Sequence, residues 1–173
     1  MATVDEMKSR WIYSELGSPR WAEAYEQLRG DTPLLEKAKL HVPFAALSED
    51  EREQLLRYAP ISSRRGLMGR LNNHAAYRLE HWDKQRIRTT TTIHAYGSVP
   101  YAEFLAGHCP PGEEAADPRE AAKALPYYPG TWEAGIVVGK PGEYMLLDGY
   151  TRSVVFMKEA PADATFALWV PEE

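Results

Sequence analysis

Apolar positions recur with a helical period in the first part of the chain and gather into short runs in its last third. Ser18-Pro19 is a helix start: a serine hydroxyl accepts from a first-turn N–H, and the fixed φ of proline suits the first helical position. Trp21, Ala24, Tyr25 and Leu28 then fall at i, i+3, i+4 and i+7, one apolar face, and Gly30 closes the helix. Ser48 opens a second helix, with Glu51 three residues later completing a capping box. Leu55, Leu56 and Tyr58 follow, and Pro60 stops it. Ser62 to Arg70 fits a loop or a helix start, and Ala75 to Trp82 is expected to continue as helix.

The pattern then changes. Arg88 to Tyr96 is rich in β-branched residues and predicts a strand, and Gly97 to Pro100 predicts a turn. Tyr101 to Ala106 is a short helix candidate, Cys109 to Pro118 a polar, proline-rich loop, and Pro118 to Leu125 a further helix. Pro126-Tyr127-Tyr128-Pro129-Gly130 breaks the chain again. Ala134 to Val138 and Glu143 to Leu147 predict a hairpin around Gly139–Gly142. Asp148-Gly149 ends the second strand, Tyr150 to Lys158 predicts a helix, and Thr165 to Val170 a last strand before Pro171. The expected fold is α/β (α+β): a small mixed sheet with flanking helices over residues 88–173, and a mainly helical segment over 1–87 packed on it. There is no internal repeat.

Composition narrows the function classes. The 173 residues suit one domain, and 44% hydrophobic and 11% aromatic residues suffice for a core. The single cysteine, Cys109, excludes a disulfide framework and a cysteine-rich zinc site. The first eleven residues have no apolar segment, so no signal peptide is expected, and no apolar run approaches the ~20 residues of a membrane span. The cytoplasm is the expected compartment, with no membrane partner. The net charge is −5, yet Ile61 to Arg88 carries Arg64, Arg65, Arg70, Arg78, Lys84, Arg86 and Arg88 against Glu80 and Asp83. This basic belt is either a local anion site or a solvated helix face plus a loop. Arg64, Arg65 and Arg70 with Gly66 and Gly69 have the residue types of an anion cradle but match no phosphate-loop pattern. The acidity of the rest favours a small-molecule partner over nucleic acid.

The most informative stretch is Tyr144 to Arg152. A buried strand runs through Asp148-Gly149 directly into a helix, whose first-turn N–H groups and positive dipole end stabilise an anion. Gly149 permits close approach to the backbone, Thr151 offers a hydroxyl, and Arg152 a bidentate guanidinium. Asp148 is suited to bind a metal or accept a substrate proton. A plain strand–helix junction, with Asp148 as cap and Arg152 on the surface, accounts for the same residues.

A strand ending in Leu146-Leu147-Asp148-Gly149-Tyr150-Thr151-Arg152 and opening a helix resembles the ParB/sulfiredoxin superfamily. In that superfamily a strand ends in Asp-Gly or Gly, followed by a polar residue or histidine and then arginine. It is most similar to the Asp-Gly-His-Thr-Arg run of ParB-like free-serine kinases. The resemblance covers Arg88 to Pro171, with Thr92–Tyr96 and Ile136–Val138 as successive strands. It implies that Gly149, Tyr150, Thr151 and Arg152 hold a phosphate or nucleotide, with Asp148 at the catalytic or metal-facing position and ATP or ADP with Mg2+ as cofactor. Tyr150 stands where sulfiredoxin has its reactive cysteine, and Cys109 does not replace it, so sulfinic-acid reduction is not expected. It also departs from the histidine of the kinases. Chromosome-partitioning ParB proteins add a helix-turn-helix domain after this fold; the chain ends at Glu173, so none is expected.

Among the other candidates, His94 precedes the motif on its strand and suits an acid, a base or a structural hydrogen bonder. His41, His74, His81 and His108 show no metal spacing, although His74 and His81, seven apart, would share a helix face. Glu113, Glu114 and Asp117 form an acidic loop, and Tyr127, Tyr128 and Trp132 suit the core or a pocket wall. Ser98 lacks the G-x-S-x-G setting of a nucleophile. The leading expectation is a phosphate- or nucleotide-binding enzyme that transfers a phosphoryl group to a small hydroxylated molecule at Asp148–Arg152, with Arg64 and Arg65 adding anion contacts. The alternatives are a ParB-like DNA-associated nuclease or binding module, and a non-catalytic accessory protein of the same fold.

Overall fold

The structure, a computed structural model, describes residues 1–18, 33–58, 62–107, 117–123 and 133–172, with residues 62–64 in backbone only. The helix expected after Ser18-Pro19, the loop of Cys109, Glu113 and Glu114, and the Tyr127–Tyr128–Trp132 cluster lie outside the described residues. The chain divides into two compact units, Ala2–Ala76 and Tyr77–Glu173, with Met1 grouped with the second.

Among its described residues the first unit is built of helices and turns, with the two-residue strand β1 (Ala2–Thr3). The Thr3 hydroxyl accepts the Glu6 N–H and starts α1 (Val4–Leu16), with Asp5 and Glu6 at the positive end of its dipole. Met7, Trp11, Ile12, Tyr13 and Leu16 of α1 are buried, as are Leu34, Leu35 and Ala38 of α2 (Pro33–Lys39). The Tyr13 hydroxyl donates to the Val42 carbonyl at 2.7 Å, and the Arg10 and Arg52 guanidiniums flank the Phe44 ring. Helix α3 (Glu49–Leu56) carries the capping box expected from Ser48 and Glu51, both halves formed. Ser48→Ala is therefore expected to lower stability by about 1 kcal/mol in urea unfolding, and an unchanged midpoint would show that the cap contributes nothing. Ser62–Gly69 is helical (α4), followed by a 3-10 turn over Arg70–Asn73.

The second unit holds the sheet. Strand β2 is Ala76–Trp82, α5 is Lys84–Arg88, and a 3-10 turn spans His94–Tyr96. Helices α6 (Tyr101–Leu105) and α7 (Pro118–Lys123) precede the hairpin of β3 (Gly135–Val138) and β4 (Met145–Asp148). Helix α8 (Tyr150–Glu159) and β5 (Phe166–Pro171) complete the unit. Its four strands lie in the order β2–β5–β3–β4. β5 is antiparallel to β2 and parallel to β3, and β4 is antiparallel to β3, so the sheet is mixed and the fold α+β. The parallel β3–β5 pair requires a crossover, which β4 and α8 supply. Gly135, Ile136, Val137 and Val138 are all buried, as expected of a central strand covered on both faces. Tyr150, Ser153, Val154, Val155 and Phe156 form the buried side of α8, and Phe156 meets Phe166 of β5 at 5.4 Å between ring centres.

Two expectations are corrected. Ala76–Trp82 is a strand, where the pattern suggested continued helix, so His74 and His81 occupy a turn and a strand and share no helix face. Arg88 to Tyr96 is not a strand. Thr89, Thr90 and Thr92 turn their hydroxyls onto nearby carbonyls (Arg86, Ile87 and Tyr96 respectively), the local bonding that competes with a ladder. Only Thr91 pairs, in single bridges to Pro100 and Met145.

Candidate functional site

The Asp148–Arg152 turn is formed as a strand-to-helix junction. Gly149 adopts φ +97°, a left-handed conformation that disfavours any side chain. A Cβ there would also lie 2.9 Å from the Cα of Gly135. The close approach that Gly149 permits is thus to the backbone of β3, a correction to its expected role in admitting a ligand. With no side chain at the N-cap, nothing caps α8 from that position. The Ser153 N–H bonds the Gly149 carbonyl at 2.8 Å and closes the first turn. The N–H groups preceding it stand at the positive end of a ten-residue helix.

Three side chains of the turn are partly exposed: Asp148, Thr151 and Arg152. Arg152 Nη2 donates to Asp148 Oδ2 at 2.7 Å, and its Nη1 donates to the Glu133 carbonyl. This guanidinium braces the turn, tying the end of β4 to the segment before β3. Asp148 Oδ1 has no hydrogen-bond partner among the described residues.

Tyr150 departs from its expected role. Its side chain is buried at 6% exposure, against Tyr96 at 4.5 Å and Phe104 at 5.7 Å between ring centres. Its hydroxyl accepts the Ile93 N–H at 2.8 Å and donates to the Leu146 carbonyl at 2.6 Å. Burial pushes the hydroxyl well above the ordinary tyrosine pKa, so it stays a neutral donor and acceptor. The signal for this was present: Tyr150 and Val154 are i, i+4, so Tyr150 belongs to the buried stripe of the helix.

His94 is exposed and opens the 3-10 turn that follows Ile93. Thr91 bridges Met145 of β4 in parallel, and two residues on the Ile93 N–H is held beside the Leu146 carbonyl through the Tyr150 hydroxyl, so the backbone entering His94 lies along β4. Arg64 and Arg65 lie in α4 of the first unit, and the turn lies in the second.

Three of the seven basic side chains of the belt, Arg78, Lys84 and Arg86, are engaged within the second unit. Glu80 accepts from Arg78 at 2.7 Å and pairs with Arg86 at 2.9 Å, and Arg86 stacks over the Trp82 ring at 4.0 Å. Lys84 donates to the Met157 and Ala160 carbonyls and so caps the far end of α8. Arg88 is exposed, beside an open depression of about 520 Å³ lined also by Asp83, Lys84, Gln85 and Ala162. That depression flanks the C-terminal end of α8, away from the Asp148 turn. Burial raises the Glu80 pKa, but the Trp82 and Arg78 hydrogen bonds and the charges of Arg86 and Arg78 outweigh it and hold the carboxyl below 4.5. Its stabilising contribution is therefore complete above pH 4.5 and lost as pH falls through the lower folded value. Thermal melts from pH 7 to pH 3 should show wild type losing more stability than Glu80→Gln over that range; parallel curves would refute the assignment.

Among the described residues no three or more His, Cys, Asp or Glu side chains gather as a metal site, and no helix is long and apolar enough to cross a membrane. Comparison of the chain with known family models, with curated proteins and with solved structures finds no significant match in any of the three.

Proposed function

We propose that the chain is a phosphate- or nucleotide-binding enzyme of the ParB/sulfiredoxin kind, acting on a small hydroxylated molecule at the Asp148–Arg152 turn. The observation that carries this reading is the start of α8: a helix N-terminus without an N-cap side chain, flanked by the partly exposed Asp148, Thr151 and Arg152. An anion there receives backbone N–H groups, the helix dipole and the Thr151 hydroxyl. Arg152 and Asp148 neutralise each other, so the pair alone adds no net positive charge. Mg2+ suits this donor set, since it commonly takes one or two carboxylates together with substrate phosphates. Asp148 would hold it, and the ion would supply neutralisation of phosphate charge. Exposed His94, which follows the Ile93 anchored on Tyr150, would take the proton of a substrate hydroxyl. The pairing of Arg78 and Arg86 with Glu80 and of Lys84 with the end of α8 makes a polyanion-binding surface the weaker reading.

The test is thermal stabilisation by ATP, ADP, CTP and pyrophosphate, each with and without Mg2+. At a hundredfold excess over Kd, a ligand of the folded state adds about 2.7 kcal/mol. The expected result is saturable, Mg2+-enhanced stabilisation by one of them that disappears in Thr151→Ala and Arg152→Ala, each compared with its own ligand-free melt. No stabilisation by any of the four would return the turn to a plain strand–helix junction.

A further inference from the structure

In a parallel ladder, bonds from one residue alternate between the two neighbours of its partner, and the next bond falls two residues on. The Thr91 N–H donates to the Tyr144 carbonyl at 2.9 Å, and the Thr91 carbonyl accepts the Leu146 N–H at 2.9 Å. The next bond of this ladder would run from the Ile93 N–H to the Leu146 carbonyl. Instead the Tyr150 hydroxyl sits between the two, taking the Ile93 N–H at 2.8 Å and donating to Leu146 at 2.6 Å. The relay replaces one direct bond of about 2.9 Å, so the chain leaves β4 at this point. The same tyrosine holds the other end of the turn, with its ring against Tyr96. His94 and Ala95 lie between these two anchors, and His94 is exposed with no partner for its imidazole among the described residues.

We propose that Tyr150 is a positioning residue for His94: its hydroxyl, inserted into the ladder, spaces the His94–Tyr96 turn off β4 and sets His94 as a second wall of the phosphate site. This rests on the phosphate reading of the Asp148–Arg152 turn. The residue at the motif's variable place then acts from below the site, through the backbone of Ile93, and touches no ligand with its side chain.

The test is calorimetric titration of the full chain with pyrophosphate, in wild type, His94→Ala, Tyr150→Phe, the double variant and Tyr101→Phe. His94→Ala and Tyr150→Phe are each expected to weaken binding about tenfold, the effect of one hydrogen bond to a charged group. The double variant is expected to bind no more weakly than His94→Ala alone, because the two act through one contact. Tyr101→Phe, which removes a neighbouring buried hydroxyl bonded to Ser153 at 2.6 Å, is expected to lower the melting temperature and leave affinity unchanged. Additive losses, or an equal loss in Tyr101→Phe, would overturn the inference and leave the phosphate reading standing. Should Tyr150→Phe not fold, His94→Ala decides: affinity within twofold of wild type overturns the proposal. Should pyrophosphate not bind, the same titrations are run with ATP, ADP and CTP in the presence of Mg2+; a wild-type protein that binds none of the four overturns the phosphate reading, and the inference with it.

Discussion

Alanine at Gly149 is expected to destabilise the second unit by about 3 kcal/mol. A left-handed backbone costs an L residue roughly 1–2 kcal/mol. The added Cβ, 2.9 Å from the Gly135 Cα, must also push one backbone away from another, and neither has a flexible side-chain end to yield. Gly142 in the β3–β4 turn supplies the control. It has φ +85° with nothing within 4 Å of a built Cβ, so Gly142→Ala carries the conformational cost alone. Urea unfolding of the two variants separates the terms. If Gly149→Ala costs no more than Gly142→Ala, the β3 contact is not what requires glycine.

Tyr150→Phe is expected to cost about 2–4 kcal/mol, although the ring and nearly all the packing remain. Removing the hydroxyl strands the Ile93 N–H and the Leu146 carbonyl, both buried, and an orphaned buried group costs about 1–3 kcal/mol. Tyr101→Phe calibrates the result within the same aromatic cluster. Its hydroxyl is paired with Ser153 Oγ, which keeps a second partner in the Tyr150 carbonyl at 2.8 Å, so that variant is expected to cost about 1 kcal/mol. Equal losses for the two tyrosines would show that Tyr150 carries no special bridging role. An amide of Ile93 that exchanges no faster in Tyr150→Phe would show the same by a second route.

The parts of this fold that follow local rules were legible. Ser48 and Glu51 announced α3 because a capping box is complete within four residues. The hairpin, the break at Asp148-Gly149 and α8 were legible because glycine marks both turns and the apolar runs are short and continuous. Strand β2 was not. Its buried members are Tyr77 and Trp82, which stand on opposite faces, while Leu79 is 47% exposed and His81 is exposed. No alternation survives such a pattern, and its pairing partner β5 is remote in the chain. The threonines at 89–92 misled in the other direction. Their β-branching suggests a strand, but here their hydroxyls bond the adjacent backbone. At the site, the position of Asp148, Thr151 and Arg152 followed from the motif. The inward turn of Tyr150 required setting it against the period of the helix it begins, and the bracing of Arg152 onto Glu133 crosses a distance no local pattern records.

The β2–β5 pairing has a consequence for how the second unit acquires its structure. Roughly ninety residues separate Tyr77 from its partner Pro171. The β3–β4 hairpin, by contrast, closes over the six residues between Val138 and Met145, and its formation is local and fast. The strand order therefore places an early, self-sufficient hairpin beside a late seam: β5 docks on β3 only after α8 has carried the chain back, and β2 gains its neighbour last. The Asp148–Arg152 turn sits on the early side of that seam, and the Glu80–Arg78–Arg86 cluster on the late side. Refolding followed residue by residue should show amides of β3 and β4 protected ahead of those of β2.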